Sequence, residues 1–153
     1  MRRFAGLLLT LILAFTLSAA LAQRVECPQG GFSVNLPDHF WSEALDPGDP
    51  DLCFNWRGNK LTVHAYASYQ GEVALSDLFQ VLTGAETESG YININGMEMF
   101  RARTEEYGTV TLTYTWMDRG NSVSLEFSWD ASESSVQKTV DSIINSVRFD
   151  SGH

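Results

Sequence analysis

An acidic turn holds a dense set of metal-ligand side chains. Asp46, Asp49 and Asp51 place three carboxylates within six residues, and carboxylate oxygens are ligands that Ca²⁺ prefers. The spacing does not match the helix–loop–helix calcium motif, and Pro47 and Pro50 restrict how the carboxylates can converge. We therefore predict a solvated turn, and calcium binding by the three aspartates is the alternative.

Cys27 and Cys53 are the two cysteines of the chain. In an exported protein an isolated pair favours a disulfide, which would stabilise the fold by roughly 3–4 kcal/mol on a chain-entropy estimate. The spacing is not C-x-x-C and no histidine pair accompanies it, so a redox pair and a metal site are weaker alternatives. The sequence predicts a structural Cys27–Cys53 disulfide.

The chain carries no motif for nucleophilic catalysis. It lacks G-x-S-x-G and a phosphate-binding glycine loop. Of its three histidines, His39 lies in a predicted turn, His64 on the polar side of a predicted strand, and His153 at the end of the chain. The sequence therefore predicts a protein that is not an enzyme and needs no cofactor. A hydrolase that uses unidentified carboxylates among the 19 acidic residues is the alternative.

Two tryptophans next to turns are candidates for a binding surface. Trp41 and Trp56 can line a ligand groove or a partner-binding patch, because an indole combines a large apolar ring with a polar N–H group. Burial in the core is the competing interpretation. Trp116 and Trp129 fall on the apolar side of predicted strands, so we expect both in the core.

The N-terminus has the pattern of a cleavable secretory signal. Arg2 and Arg3 precede an apolar run over residues 4–17, and Ala20-x-Ala22 matches a signal-peptidase site. The run of about 14 residues is shorter than the ~20 that a membrane-spanning helix needs, so a retained anchor is the less favoured alternative. No cysteine follows Ala22 directly, which argues against a lipoprotein. We predict a signal over 1–22 and a secreted or periplasmic single domain over 23–153.

The charge of the exported part excludes one class of partner. Removal of the signal leaves 8 basic against 19 acidic residues, a net charge of −11. Such a field repels phosphate backbones and anionic lipid surfaces, and no Lys/Arg cluster opposes it locally. We therefore expect no nucleic-acid partner, and the exported part has no stable membrane anchor once the signal is removed.

Alternating apolar residues predict most of the strands. They indicate strands over 31–36, 52–56 and 61–69. Asn95-Gly96 suits a two-residue turn and predicts a hairpin that pairs Ile94 with Met97; apolar residues on both of its faces predict that it is central and covered twice. A second hairpin turns at Arg119-Gly120. Its predicted pairs are Trp116 with Val123, Tyr114 with Leu125, Leu112 with Phe127, and Val110 with Trp129.

Two helices complete the prediction. Leu75, Leu78, Phe79 and Leu82 follow a helical period, with Ser76 as the N-cap and Gly84 after the C-terminus. Apolar residues from Val136 to Val147 indicate a longer helix, followed by a short extended tail. Together the elements predict an α+β fold, an antiparallel sheet of about six strands with helices packed against it.

The element order and two motifs resemble PsbP-like domains. Residues 31–41 read GFSVNLPDHFW and resemble the opening G-F-S-hydrophobic-x-x-P-x-x-W pattern, and residues 140–149 read VDSIINSVRF and are similar to the closing helix and S-F-R-F tail. This superfamily includes the extrinsic PsbP subunit of photosystem II, periplasmic DcrB-like proteins and a Ran-binding nuclear import factor. The resemblance implies an α-β-α sandwich and binding or scaffolding without catalysis, and it transfers no functional residue.

These observations predict an exported, non-catalytic binding or accessory domain of the cell envelope. Its partner is a protein or a small ligand, and the sequence does not decide between them. An envelope hydrolase and a calcium-stabilised structural domain remain the alternatives.

Overall fold

The computed structural model describes residues 22–79 and 88–150. Among the described helices, none has the length and apolar character that crossing a membrane requires. The elements are β1 Ala22–Cys27, β2 Phe32–Pro37, β3 Trp41–Ser42, β4 Leu52–Arg57, β5 Thr62–Tyr69, α1 Leu75–Phe79, β6 Glu88–Ile94, β7 Met97–Glu106, β8 Thr109–Asp118, β9 Asn121–Asp130, α2 Val136–Asn145 and β10 Arg148–Phe149.

The strands form two antiparallel sheets. Seven strands run in the order β3-β4-β5-β9-β8-β7-β6, and a smaller sheet has the order β1-β2-β10. The α+β class is confirmed, but the expected number of about six strands is wrong. The prediction missed β1, in which Val25 and Cys27 alternate with charged or polar residues, and β1 pairs with β2 along its whole length.

The hairpin at Asn95-Gly96 has the predicted register and a different place in the sheet. Both turn residues have positive φ, 52° and 90°, and Ile94 pairs with Met97. However, β6 is the last strand of the sheet rather than a central one, and Tyr91 is 54% exposed. Met99 and Phe100 of β7 are buried whereas Tyr91 and Ile92 of β6 are exposed, so apolar pairs on both faces did not indicate double coverage.

The hairpin at Arg119-Gly120 is confirmed in every predicted pair. Its turn residues have φ of 48° and 80°. Tyr107-Gly108, which was not predicted as a turn, joins β7 to β8 in the same way, with φ of 50° and 76°. The confirmed pairs are Trp116 with Val123, Tyr114 with Leu125, Leu112 with Phe127, and Val110 with Trp129.

The helices differ from the prediction at their ends. Helix α1 begins at Leu75, so Ser76 lies inside it and is not the residue before it. The predicted positions Leu82 and Gly84 lie outside the described residues. Helix α2 ends at Asn145 and the chain continues as β10, which is the predicted extended tail.

One face of the seven-stranded sheet forms the core with α2 and the smaller sheet. Helix α2 buries Val136, Val140, Ile143 and Ile144 in the cluster that contains Leu112 and Phe127. From the smaller sheet, the Phe32 ring meets Trp116 edge to face, with ring centroids 5.3 Å apart. The other face of the large sheet is covered neither by α2 nor by the smaller sheet.

Candidate functional site

The acidic turn is held by hydrogen bonds of its own. Asp46 accepts the Gly48 amide through Oδ1 at 2.8 Å and the Asp49 amide through its carbonyl at 3.0 Å, while the Asp51 carbonyl accepts the Ala67 amide at 2.8 Å. Across residues 22–79 and 88–150, no group of three His, Cys, Asp or Glu is placed to hold a metal ion. The described structure therefore does not bring the three candidate calcium ligands together around one point.

The predicted disulfide is wrong in this structure. Cys27 and Cys53 lie side by side, but their sulfurs are 3.3 Å apart and both are free thiols, whereas a disulfide needs about 2.05 Å. The Cys53 thiol also lies 3.4 Å from the Ala65 carbonyl. The hydrogen bond between the two thiols lowers the pKa of Cys27 and raises that of Cys53. The sequence indicated that the cysteines meet, but bond formation depends on an oxidant, which the sequence does not encode.

The two candidate tryptophans do not share a face of the sheet. Trp41 pairs with Arg57, whereas Trp56 pairs with Ser42 and Val63. Because paired residues share a face and neighbours along a strand alternate, Trp41 lies on the side away from α2 and Trp56 on the core side. Trp41 is 45% exposed, while Trp56 is half-buried against the core. Of the two tryptophans, only Trp41 therefore lies on the exposed side of the sheet, together with residues from the neighbouring strands.

The surface that includes Trp41 is here called the outer face. On the side of the seven-stranded sheet away from α2, it is the part formed by β3, β4, β5, β9 and β8, and the pairing of these strands defines its members. They include Trp41, Arg57, Thr62, His64, Tyr66, Thr111, Thr113, Thr115, Ser124, Glu126 and Ser128.

Three titratable side chains lie at the centre of the outer face. His64 and Glu126 are paired across β5 and β9, with Nδ1 and Oε1 3.9 Å apart and side chains 28% and 30% exposed. The Tyr66 hydroxyl lies 3.5 Å from the same nitrogen. Burial raises the pKa of Glu126, and the charge of His64 opposes that rise. Burial also raises the pKa of Tyr66, and Glu126 adds to the effect.

The hydroxyl groups of the outer face interact with one another. The side chains of Thr115 and Ser124 are 2.9 Å apart, and those of Thr111 and Ser128 are 3.5 Å apart. In the described part of the chain, no serine or threonine hydroxyl is hydrogen-bonded to His64, whose ring contacts the Tyr66 hydroxyl instead. The geometry therefore lacks the contact between nucleophile and base that acyl transfer requires.

A shallow depression marks one end of the outer face. It has a volume of about 350 Å³ and is lined by residues that include Arg57, Lys60 and Asp130. Arg57 is 3.5 Å from Glu43, and Lys60 donates a 2.7 Å hydrogen bond to Glu133. Both cations are thus already neutralised by carboxylates, which leaves the depression without a free positive charge for a small anion.

Replacing Glu126 with a neutral residue is expected to remove the free-energy cost of burying its carboxylate, a cost that depends on pH. A carboxyl with a raised pKa in the folded state favours folding at acid pH, and this contribution is lost as the pH rises through that pKa. We expect Glu126→Gln to have a higher melting temperature than the wild type at pH 7. The corresponding gain in the free energy of unfolding should be less than about 1 kcal/mol. The advantage should shrink on going to pH 4.

Thermal unfolding by circular dichroism from pH 4 to 8 tests this expectation. The control is Glu98→Gln, which changes an exposed carboxylate on β7 and should follow the wild type. A Glu126→Gln protein less stable than the wild type at pH 7 would mean that the ion pair with His64 outweighs the cost of burial.

Sequence reasoning missed Glu126 and set His64 aside as a surface residue. The two meet only because β5 pairs with β9, which are separated by α1, β6, β7 and β8 in the chain. Both residues lie on the polar side of strands in which polar and apolar residues alternate. That alternation was the one signal in the sequence that could have pointed to them.

No protein-family model matches the sequence, and no curated protein matches it. The fold is nevertheless recognisable as the PsbP-like fold, as the two motifs implied. A solution structure of cyanobacterial PsbP (CyanoP) from Synechocystis sp. PCC 6803 matches with a TM-score of 0.67 and 14% identity. The match covers 88% of this chain and 95% of that chain.

Two further solved structures share the fold. The Ran-binding protein Mog1p from Saccharomyces cerevisiae matches with a TM-score of 0.53 and 9% identity, over 86% of this chain and 96% of that chain. A crystal structure from Bacteroides thetaiotaomicron VPI-5482 matches with a TM-score of 0.59 and 13% identity, over 85% of this chain and 49% of that one. At these identities the similarity defines the fold and transfers no activity.

Proposed function

We propose that this chain is an exported, non-catalytic domain that binds a protein partner through its outer face. The observation that carries the proposal is the arrangement of that face. Four of its serine and threonine hydroxyl groups interact in pairs, and its one histidine contacts Tyr66 and Glu126 rather than a nucleophile. The surface thus offers many hydrogen-bonding groups and no assembled reaction centre.

The shape of the outer face supports a large partner. Strands β5, β9 and β8 pair without a register shift from Thr62 to Tyr69 and from Thr109 to Asp118, so their side chains form a continuous platform. Sites for small molecules are concave and enclose most of the ligand. The depression at the end of the platform is shallow and its cations are paired, so an extended protein surface fits this face better than a small ligand.

Trp41 and Arg57 supply the residue types that carry binding energy. Tryptophan and arginine are enriched among the residues that dominate protein interfaces. The two are directly paired on β3 and β4, Trp41 is 45% exposed, and the Arg57 side chain is 54% exposed. An exposed indole next to a guanidinium at the rim of a polar platform suits an anchor point for a partner.

The structural relatives favour the same class of function. One of them is a Ran-binding protein by name, and its fold covers 86% of this chain. A shared fold supports protein binding as a class of function and does not identify a particular partner.

Export to the cell envelope or medium is part of the proposal. It rests on the signal pattern over 1–22 and on where Gln23, the proposed first residue of the mature protein, lies. Its side-chain amide donates a 2.8 Å hydrogen bond to the Phe40 carbonyl, so the proposed mature chain starts inside β1 as part of the single domain.

Site-specific photo-crosslinking in the producing cells tests the function. A photoreactive amino acid at Trp41 or Thr62 should yield a discrete protein adduct, which mass spectrometry can identify. The matched control position is Tyr107, which is fully exposed on the β7–β8 turn and lies outside the outer face. In the Thr62 variant, an additional Trp41→Ala substitution should reduce the adduct severalfold.

Two results would contradict the proposal. Equal adducts at Tyr107 and at the outer-face positions would show unspecific contact, and no adduct at Trp41 or Thr62 would show an unoccupied face. Hydrolysis of an ester or glycoside substrate that Glu126→Gln abolishes would favour the hydrolase alternative.

A further inference from the structure

Strand β6 is an edge of the large sheet that carries no lysine, proline or β-bulge. It has seven residues, Glu88–Ile94, whereas β3 at the opposite edge has two. An edge strand presents a row of unpaired N–H and C=O groups, and proteins block such edges with lysine, proline, bulges or short strands. β6 contains no lysine or proline and pairs regularly with β7. Among the described strands, it is therefore well suited to accept a further strand.

Apolar side chains extend to both sides of this edge. Tyr91 is 54% exposed and packs edge to face on Phe100, and Ile92 on the other face is 37% exposed. In strand addition, main-chain hydrogen bonds give affinity, and contacts with alternate side chains give specificity. Tyr91 and Ile92 offer such contacts on the two faces.

Gly90 leaves a dent next to Ile92 on the same face of β6. A Cβ atom added at Gly90 would meet nothing within 4 Å. A depression of about 410 Å³ lies here, lined by residues from Glu88 to Ile92 and by Arg101. Because Arg101 is paired with Gly90 across β6 and β7, its side chain is accessible from the edge over a residue that has no side chain.

Arg101 has no acidic partner in the described part of the chain. It is paired with Tyr114 across β7 and β8, and its guanidinium counteracts the rise in the pKa of that phenol caused by burial. Its neighbour on the same face, Arg103, is different: it is 3.2 Å from Glu105 and paired across the strands with Glu88. In a chain with 19 acidic and 10 basic residues, Arg101 is a positive charge left for a carboxylate from outside.

We propose that β6 binds an extended segment of a partner protein by strand addition, with an acidic side chain of that segment on Arg101. A second copy of this chain fits less well. To reach Arg101, an acidic residue of the second copy would have to lie opposite Gly90, and β6 offers Glu88 for this. In an antiparallel pair of β6 strands, Glu88 lies opposite Gly90 only in the register centred on Ser89. In that register the strands overlap over residues 88–90 alone. The inference goes beyond the proposed function because it uses a different surface, and none of its variants alters the outer face.

Selection of random hexapeptides displayed on phage tests the inference. The bait is the protein purified from its producing cells, and the enriched peptides should carry Asp or Glu at one fixed position between apolar residues. A synthetic fluorescent copy of the enriched peptide is then titrated by polarisation. Arg101→Gln should weaken its binding about tenfold or more, because a charge-assisted contact is lost, and Gly90→Val should do the same by filling the dent.

Arg103→Gln is the matched control, and it should leave the affinity within about twofold because that charge is already paired. Three results of the peptide experiments would overturn the inference. They are the absence of enriched peptides, enrichment without an acidic position, and an acid preference that survives Arg101→Gln. A wild-type dimer in sedimentation that Gly90→Val dissociates would also overturn it, because the edge would then belong to a second copy.

Discussion

Replacing Trp116 with alanine is expected to lower the free energy of unfolding by about 3–5 kcal/mol. Trp116 is fully buried and lies between the two sheets. Its indole meets Phe32 of β2 at 5.3 Å and Phe149 of β10 at 5.7 Å, both edge to face. Alanine would leave a cavity where the smaller sheet packs on the larger one. Domains are stable by only about 5–15 kcal/mol, so this is a large part of the total.

Trp116→Phe is expected to cost much less than Trp116→Ala. The indole N–H is buried without a hydrogen-bond partner in the described structure, and leaving a donor unsatisfied costs about 1–3 kcal/mol. Phenylalanine keeps most of the ring packing and removes that donor, so we expect a loss below about 2 kcal/mol.

Urea unfolding followed by far-ultraviolet circular dichroism measures both variants. Trp41→Ala is the control, because it removes an exposed indole and should change stability by less than about 1 kcal/mol. If Trp116→Ala cost no more than Trp41→Ala, the two sheets would not be joined through this ring.

The local elements of the fold were predictable because their signals are local. Asn95-Gly96 and Arg119-Gly120 adopt positive φ at both turn residues, and strict alternation then fixes the register of the strands on either side. A shift of one strand of the second hairpin by one residue would move all apolar side chains of that strand to the outer face. The register was therefore decided by residues close in sequence.

The order of strands was not predictable in the same way. Nothing local distinguishes β6 as an edge from β6 as a central strand, because its apolar pairs with β7 are the same in both cases. The burial of β6 depends on which strand lies beyond it. Strand β1 was missed because it carries few apolar residues and is held by pairing with β2.

In the candidate site too, contacts between strands that are distant in sequence could not be predicted. The polar character of the outer face follows from alternation, so His64 was correctly placed on the polar side of its strand. The contact between His64 and Glu126 depends on the pairing of β5 with β9, which no turn connects. Trp41 and Trp56 failed as a single patch because β4 places Trp56 on the core side while Trp41 pairs with its neighbour Arg57.

Gly31, which opens the motif that resembles PsbP-like domains, has two reasons to be glycine. Its φ is +63°, a conformation that costs other residues about 1–2 kcal/mol. A Cβ atom at this position would also collide with Oδ2 of Asp118. That carboxylate is buried and accepts hydrogen bonds from Arg119 at 3.1 Å, so it cannot move aside without loss.

We therefore expect Gly31→Ala to lower the free energy of unfolding by about 3 kcal/mol. Gly108→Ala separates the two causes, because Gly108 has φ of +76° and nothing within 4 Å of an added Cβ atom. It should cost about 1 kcal/mol, the backbone contribution alone. Urea unfolding of both variants measures the difference.

A double-mutant cycle that combines Gly31→Ala with Asp118→Ala then isolates the steric part. If the Cβ atom added at position 31 collides with the Asp118 carboxylate, removing that carboxylate relieves the collision. The double variant should then be more stable than the sum of the two single losses predicts, by about 1–2 kcal/mol. Strict additivity would mean that the glycine is required for its backbone conformation alone, and that the start of β2 does not depend on contact with the β8–β9 turn.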